Sequence, residues 1–133
     1  MLLLDTNILS YLYKADSRIS PYASDLNGYR LAISLMTVAE MLQWSVIYKW
    51  GPTRVRRLEG WLETNFIVFP IDRDLCDYWA NTKATCRAKG RPIDGQDAWI
   101  AATALQHQLP LVTHNPKDFS AVDELQLISH VSS

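Results

Sequence analysis

Leu2-Leu3-Leu4-Asp5-Thr6-Asn7-Ile8-Leu9 is the stretch on which the fold turns. Three consecutive leucines make a short unbroken apolar run, the pattern of a strand buried on both faces, and such a strand needs helices to cover it. A helix follows at once, over Thr6 to Lys14, with side-chain acceptors at its start in Asp5, Thr6 and Asn7. The same alternation repeats outward along the chain. Pro21 to Asn27 predicts a second helix, Leu31-Ala32-Ile33 a strand, and Leu35 to Trp50 a long helix stopped by Gly51-Pro52. Thr53 to Thr64 predicts another helix, Phe66-Ile67-Val68-Phe69 a strand ended by Pro70, and Asp72 to Lys89 a helix closed by Gly90 and Pro92. Gln96 to Gln108 is the last predicted helix, Leu109 to Thr113 the fourth strand, and Leu125 to Ile128 a weak fifth. Strands separated by helices of about ten or more residues argue for an α/β class, a parallel sheet with helices on both faces.

The bulk properties narrow the function. The chain has 133 residues, a net charge of −1 and 48% hydrophobic residues, so residues 1–133 are expected to form a single domain rather than a disordered chain. Its apolar runs fall far short of the ~20 residues that span a bilayer. Asp5 comes too early for a signal peptide, which needs a basic start and an apolar core. A cytoplasmic protein without a membrane association is the expectation. Cys76 and Cys86 do not make a disulfide framework; on one helix they would stand about 15 Å apart. Near-neutral charge excludes nucleic-acid binding by bulk positive charge alone. Any such binding must use a local patch or a metal.

In open α/β sheets function gathers at the carboxyl ends of the strands. That rule selects Asp5-Thr6-Asn7 after the first strand and Thr113-His114-Asn115 after the fourth. Asp5 alone reads as a helix N-cap. Glu40 borders the apolar stripe Leu35, Val38, Ala39, Leu42 and Val46, and alone reads as a solvated rim glutamate. Yet the positions that would carry its cationic partner hold Met36, Thr37, Gln43 and Trp44. Asp97, three residues after the N-cap candidate Asp94, resembles the second half of a capping box, although Asp reaches back poorly from that position. In Asn115-Pro116-Lys117-Asp118, Asn before Pro caps a helix and Asp118 sits in its first turn. Each acid alone is explained by capping. Together they crowd carboxylates at one rim with no cation in sequence to neutralise them, and like charges so placed repel. A hard divalent cation relieves that repulsion, and oxygen-only ligands suit Mg²⁺ or Mn²⁺. The scattered His107, His114 and His130 lack zinc spacing. Mg²⁺ held by carboxylates serves phosphoryl chemistry.

Four segments then resemble a known family. Leu3-Leu4-Asp5-Thr6-Asn7-Ile8-Leu9 and Ile33-Ser34-Leu35-Met36-Thr37-Val38-Ala39-Glu40 are similar to the opening motifs of PIN-domain ribonucleases. Arg91-Pro92-Ile93-Asp94-Gly95-Gln96-Asp97-Ala98-Trp99-Ile100-Ala101-Ala102-Thr103-Ala104 resembles the third motif, and Leu111-Val112-Thr113-His114-Asn115-Pro116-Lys117-Asp118-Phe119 the last. All four occur in order over almost the whole chain. The likeness is greatest to VapC toxins of type II toxin–antitoxin systems, including the FitB-like branch.

The resemblance implies a three-layer α/β/α fold with a mostly parallel sheet of four to five strands. It implies Mg²⁺- or Mn²⁺-dependent endoribonuclease activity leaving a 5′-phosphate, a VapB-like antitoxin partner and a homodimer. By motif, Asp5, Glu40 and Asp97 are the acidic metal-site triad. Thr6, Thr37 and Thr113 orient the acids or their waters, with Asn7 and Asp94 supporting. The fourth position, Asp in many relatives, falls to Asn115 or to nearby Asp118, which leaves one metal or two. Arg87, Lys89 and Arg91, which lead into the third motif, are the expected RNA contacts, ahead of Arg54, Arg56 and Arg57. The tryptophans read mostly as core or dimer contacts. Trp44 and Trp50, placed on the Glu40 helix, are also candidates to anchor the antitoxin. The alternative is a catalytically weak PIN module that binds RNA or a protein without cutting, a reading kept open by the uncharged Asn115. A receiver-like phosphoryl-transfer domain is disfavoured, because no phosphate-cradling Gly-rich loop is present.

Overall fold

Leu2–Leu4 is β1, the central strand of a five-stranded parallel sheet in a computed structural model that describes residues 1–131. β2 (Leu31–Ser34) and β3 (Ile67–Phe69) lie on one side of it, β4 (Leu111–Val112) and β5 (Leu127–Ile128) on the other, giving the order β3-β2-β1-β4-β5. Leu2 pairs with Leu31, and Leu4 with Val112. The chain winds outward from β1 to β3, then crosses back to β4 and winds the other way. The reversal opens a crevice between β1 and β4 at their carboxyl ends, the place where such sheets bind ligands.

Alternation along the strands builds the two outer layers. Leu2, Leu4, Ile33 and Val112 face one way and pack with Ile8 and Leu9 of α1 (Thr6–Lys14), Met41 of α3 (Leu35–Ile47), and Leu58 and Leu62 of α4 (Pro52–Asn65). Leu3, Ala32 and Leu111 face the other way, onto Cys86 of α5 (Arg73–Ala88) and Ala98, Ile100, Ala101 and Ala104 of α6 (Gly95–His107). The small alanines let α6 pack directly on the sheet and set its first turn beside the crevice. Cys76 and Cys86 are both free, on α5. No helix among the described residues is long and apolar enough to cross a membrane.

Several expectations need correction. The predicted helix over Pro21 to Asn27 is a 3₁₀ segment, Ser17–Tyr22, running into the single turn α2 (Ala23–Leu26). The expected fourth and fifth strands shrink to two residues each. The helix expected to reach Trp50 stops at Ile47, with Lys49 at a φ of 54°. The largest revision concerns the core face of α3. Its fully buried residues are Thr37, Met41 and Ser45, whereas Leu35, Ala39 and Val46 of the expected apolar stripe are exposed. Hydroxyls can be buried there because both are satisfied: Ser45 Oγ donates to the Leu42 carbonyl at 2.6 Å, and Thr37 pairs with Thr6.

Candidate active site

Asp5 leaves β1 at the crevice and is only 6% exposed. It does cap α1, as the bland reading required: its Oδ1 accepts from the Thr6 amide at 2.8 Å. Its other oxygen looks across the crevice. Thr113, just past β4, donates its hydroxyl to Asp5 Oδ2 at 2.7 Å, so the two strands flanking the reversal are tied through this carboxylate. Burial pushes the Asp5 carboxyl above its ordinary value; the bonds from Thr113 and Thr6 oppose that, and nearby Asp118 adds to it.

Thr6 connects the crevice to α3. Its hydroxyl donates to Glu40 Oε1 at 3.2 Å and stands 3.0 Å from the Thr37 hydroxyl. With its one proton spent on Glu40, Thr6 accepts from Thr37. Glu40 is half-buried, and burial is the main cause of its raised pKa; the Thr6 bond opposes the shift, while Asp5 and Asp94 reinforce it.

Asp97 differs from both. Asp94 alone caps α6, accepting from the Gln96 amide at 2.9 Å, and no hydrogen bond or ion pair holds the Asp97 carboxylate among the described residues. Its pKa is pushed up to about 7, first by desolvation and then by Asp5, Asp118, Asp94 and Glu40. Asp118 is exposed on the short 3₁₀ segment Pro116–Phe119. Asn115 precedes that segment but does not cap it with its side chain, contrary to expectation. Instead its amide donates to Thr113 Oγ1 at 3.1 Å, and Asn7 Oδ1 accepts from the His114 amide at 3.3 Å, so the loop after β4 is pinned to β1 and α1.

The crevice thus gathers Asp5, Glu40, Asp97, Asp94 and Asp118, and the charges of these acids add to the effect of burial on Asp5, Glu40 and Asp97. Among the described residues no three acidic, His or Cys groups converge tightly enough to cage a bare ion. A hard divalent cation that keeps several of its waters does not need such a cage, because it is bound through only one or two carboxylates directly. The all-oxygen donor set suits such a cation.

A family model described as the PIN domain matches residues 2–125. The chain belongs to the PIN domain family. It is 34% identical over 128 residues to Ribonuclease VapC1 of Haemophilus influenzae, an alignment covering 93% of each chain. Among solved structures it is similar to FitAB bound to a DNA fragment, with a TM-score of 0.84 at 26% identity over 100% of this chain and 99% of that one. It is also similar to VapBC-1 of nontypeable Haemophilus influenzae, with a TM-score of 0.80, 30% identity and 96% of each chain covered. The three-layer sheet described above is the PIN fold.

Within this PIN domain the cations do not all fall where the sequence placed them. Lys89, expected at the RNA, donates to the Ala121 carbonyl at 2.9 Å and pairs with Asp123, so it braces a loop. Arg54 stacks 3.7 Å from the Trp50 ring. Arg87 is exposed and lies outside the cleft that Asp97 lines, whereas Arg91 lines it. Lys117 lines it too, a position that no local sequence pattern marks as an RNA contact. Tyr22 was also missed. Fully buried, its hydroxyl meets His114 Nδ1 at 2.6 Å and accepts from the His130 amide at 3.0 Å. A buried phenol needs partners, but no local pattern says which.

Proposed function

We propose that the chain is a ribonuclease toxin of the VapC kind, hydrolysing RNA phosphodiesters at the crevice between β1 and β4. One observation carries this reading: Asp5, Glu40 and Asp97 meet at one crevice, each pushed toward its protonated form first by burial and further by other carboxylates, and no ion pair among the described residues relieves any of them. Asp5, Glu40 and Asp97 would hold Mg²⁺ or Mn²⁺, and the cation would supply charge neutralisation at the phosphate and acidify water beside it. The chain's own residues do the positioning. Thr113 and Thr6 fix both oxygens of Asp5, and Thr37 fixes Glu40 through Thr6. Asp97, unbonded, keeps lone pairs with which to take a proton from an attacking water. Asp94, Asp118 and Asn115 complete the rim, and Arg91 is the RNA contact best placed of those the sequence suggested.

The likeness to VapBC and FitAB assemblies supports a VapB-like antitoxin partner, and we place a homodimer of the chain with that antitoxin in the cytoplasm. Trp44 and Trp50 are weaker anchors than expected, because both pack on the core and Trp50 stacks with Tyr13. The apolar end of α3 takes over that role: Val46 is 76% exposed, and Ile47 and the following Tyr48 are exposed beside it. A non-cutting PIN module remains the second reading, on the ground that Asn115 brings no charge to the rim.

Incubating the purified protein with a pool of cellular RNA in Mg²⁺, Mn²⁺ or EDTA decides between them. Cleavage to 5′-phosphate ends that EDTA abolishes is the expected result. RNA binding without cleavage in either metal would establish the second reading. Millimolar metal should also raise the melting temperature, and no shift at all would remove the metal site.

A further inference from the structure

The crevice continues into a cleft of about 430 Å³ whose lining carries both signs of charge. Arg91, Ile93 and Asp94 come from the approach to α6 and Asp97 from its first turn, and Lys117 and Asp118 from the short 3₁₀ segment after β4. Cations beside acids ordinarily pair with them. Here none of the ion pairs among the described residues includes Arg91, Lys117 or a cleft aspartate. Both cations are exposed.

Other side chains have the task of building the walls. From α5, Lys83 Nζ donates to the Ile93 carbonyl at 2.7 Å, and Trp79 Nε1 to the Gly95 carbonyl at 3.1 Å. Lys89 holds the Ala121 carbonyl on the opposite wall. The backbone on each side is therefore fixed by α5 or by Lys89 at its C-cap, and each wall retains one cation with no ion-pair partner among the described residues.

We propose that Arg91 and Lys117 form a two-sided cradle for the RNA backbone phosphate adjacent to the scissile one. This rests on the ribonuclease reading, and it extends that reading to a second binding position. A scissile phosphate among the carboxylates relies on the metal for its countercharge. A strand that threads the cleft brings another phosphate with the neighbouring nucleotide, and that phosphate needs countercharge of its own. The guanidinium of Arg91 offers a planar fork for two phosphate oxygens, and Lys117 offers a point charge from the facing wall. Ser120, which also lines the cleft, is not a competitor, because its hydroxyl is bonded to the Lys117 carbonyl at 3.0 Å. The site so built favours an internal bond of a single strand over a terminal one.

The test uses Arg91→Ala, Lys117→Ala and Lys117→Arg, with Arg30→Ala, exposed just before β2 at the amino end of the sheet, as a control of equal charge change. In EDTA, binding of a fluorescent single-stranded RNA should weaken about tenfold for each alanine variant, the loss of one charge-assisted contact. The slope of log K against log salt should fall by about 0.7 for each, as expected for one phosphate on a single strand. Lys117→Arg should restore both, and Arg30→Ala should change neither. In metal, the loss should appear in KM for long RNA and vanish for a dinucleotide, which has no second phosphate. Wild-type binding or cleavage with both alanine variants unaffected would overturn the cradle and leave the ribonuclease reading intact. Equal losses on the dinucleotide would also overturn it, by moving the cations to the scissile phosphate. A wild-type chain that neither binds nor cuts RNA would overturn both proposals.

Discussion

Asp5 and Asp97 stand on opposite sides of one crevice, and they are held in opposite ways. Asp5 is buried, and each of its oxygens has a donor, one from its own helix and one from across the sheet. Asp97 is half-buried and, among the described residues, its carboxylate has no hydrogen bond or ion pair, with four other acids in its field. One carboxylate is part of the scaffold; the other is placed by α6 but not stabilised there. The contrast teaches that a capping role and a site role are separable. Asp5 performs both, whereas at α6 the cap has been given to Asp94 and Asp97 is left over.

The largest expected effect tests the left-over acid. Asp97→Asn should lower RNA cleavage about a thousandfold, equivalent to about 4 kcal/mol of barrier, while the fold keeps or slightly gains stability. Cleavage at the parental rate would reduce Asp97 to an ordinary first-turn residue.

Alanine at the two positions should then separate them by stability. Asp5→Ala removes a cap and leaves the buried Thr113 hydroxyl without its acceptor, at a cost of about 2 kcal/mol. Asp97→Ala removes only repulsion, so its melting temperature should equal or exceed the parent's. Equal losses at both sites would erase the distinction.

Thr113→Val keeps the shape and the Asp5 charge but deletes the donor, making Asp5 more like Asp97. Activity should fall about tenfold, the worth of one hydrogen bond to a charged group. Circular dichroism on the same sample checks that the fold survives.

The smallest effect is a pH dependence. Because Asp97 titrates near 7 when folded and near the ordinary carboxyl value when unfolded, the folded state binds the extra proton between those limits. Its contribution to stability is present at low pH and is lost as pH rises through about 7. Metal-free protein should therefore melt a few degrees lower at pH 7.5 than at pH 5.5, an effect reduced by the partial exposure of the group. Asp97→Asn should flatten that difference, and Asp5 and Glu40, shifted the same way, should leave a remnant.

Much of this site was legible in sequence because local rules and site chemistry use the same residues. Leu2-Leu3-Leu4 and the cap candidate Asp5 place β1 and the start of α1 at the expected residues, and the acid at each helix start falls at the rim. What escaped depends on tertiary contacts. Thr37 and Ser45 are buried against the pattern of α3 because hydroxyls distant or backbone carbonyls near satisfy them, which hydrophobicity cannot register. Lys89 and Lys117 look alike in sequence; only the position of Ala121 and Asp123 reveals that the first is engaged. Asn115 before Pro116 reads as a cap, yet its loop is pinned through Thr113 and Asn7 instead.

The bond between Thr113 and Asp5 spans 108 positions of the chain. Nothing nearer in sequence can supply that donor, and closing so long a loop must await most of the other contacts. A chain still emerging from the ribosome therefore carries Asp5 and Glu40 early but has no working crevice until β4 and the residues beyond it are made. On the ribonuclease-toxin reading proposed above, timing would protect the cell that makes it: the site is completed only in the finished molecule, and a product broken off before Thr113 should be inert.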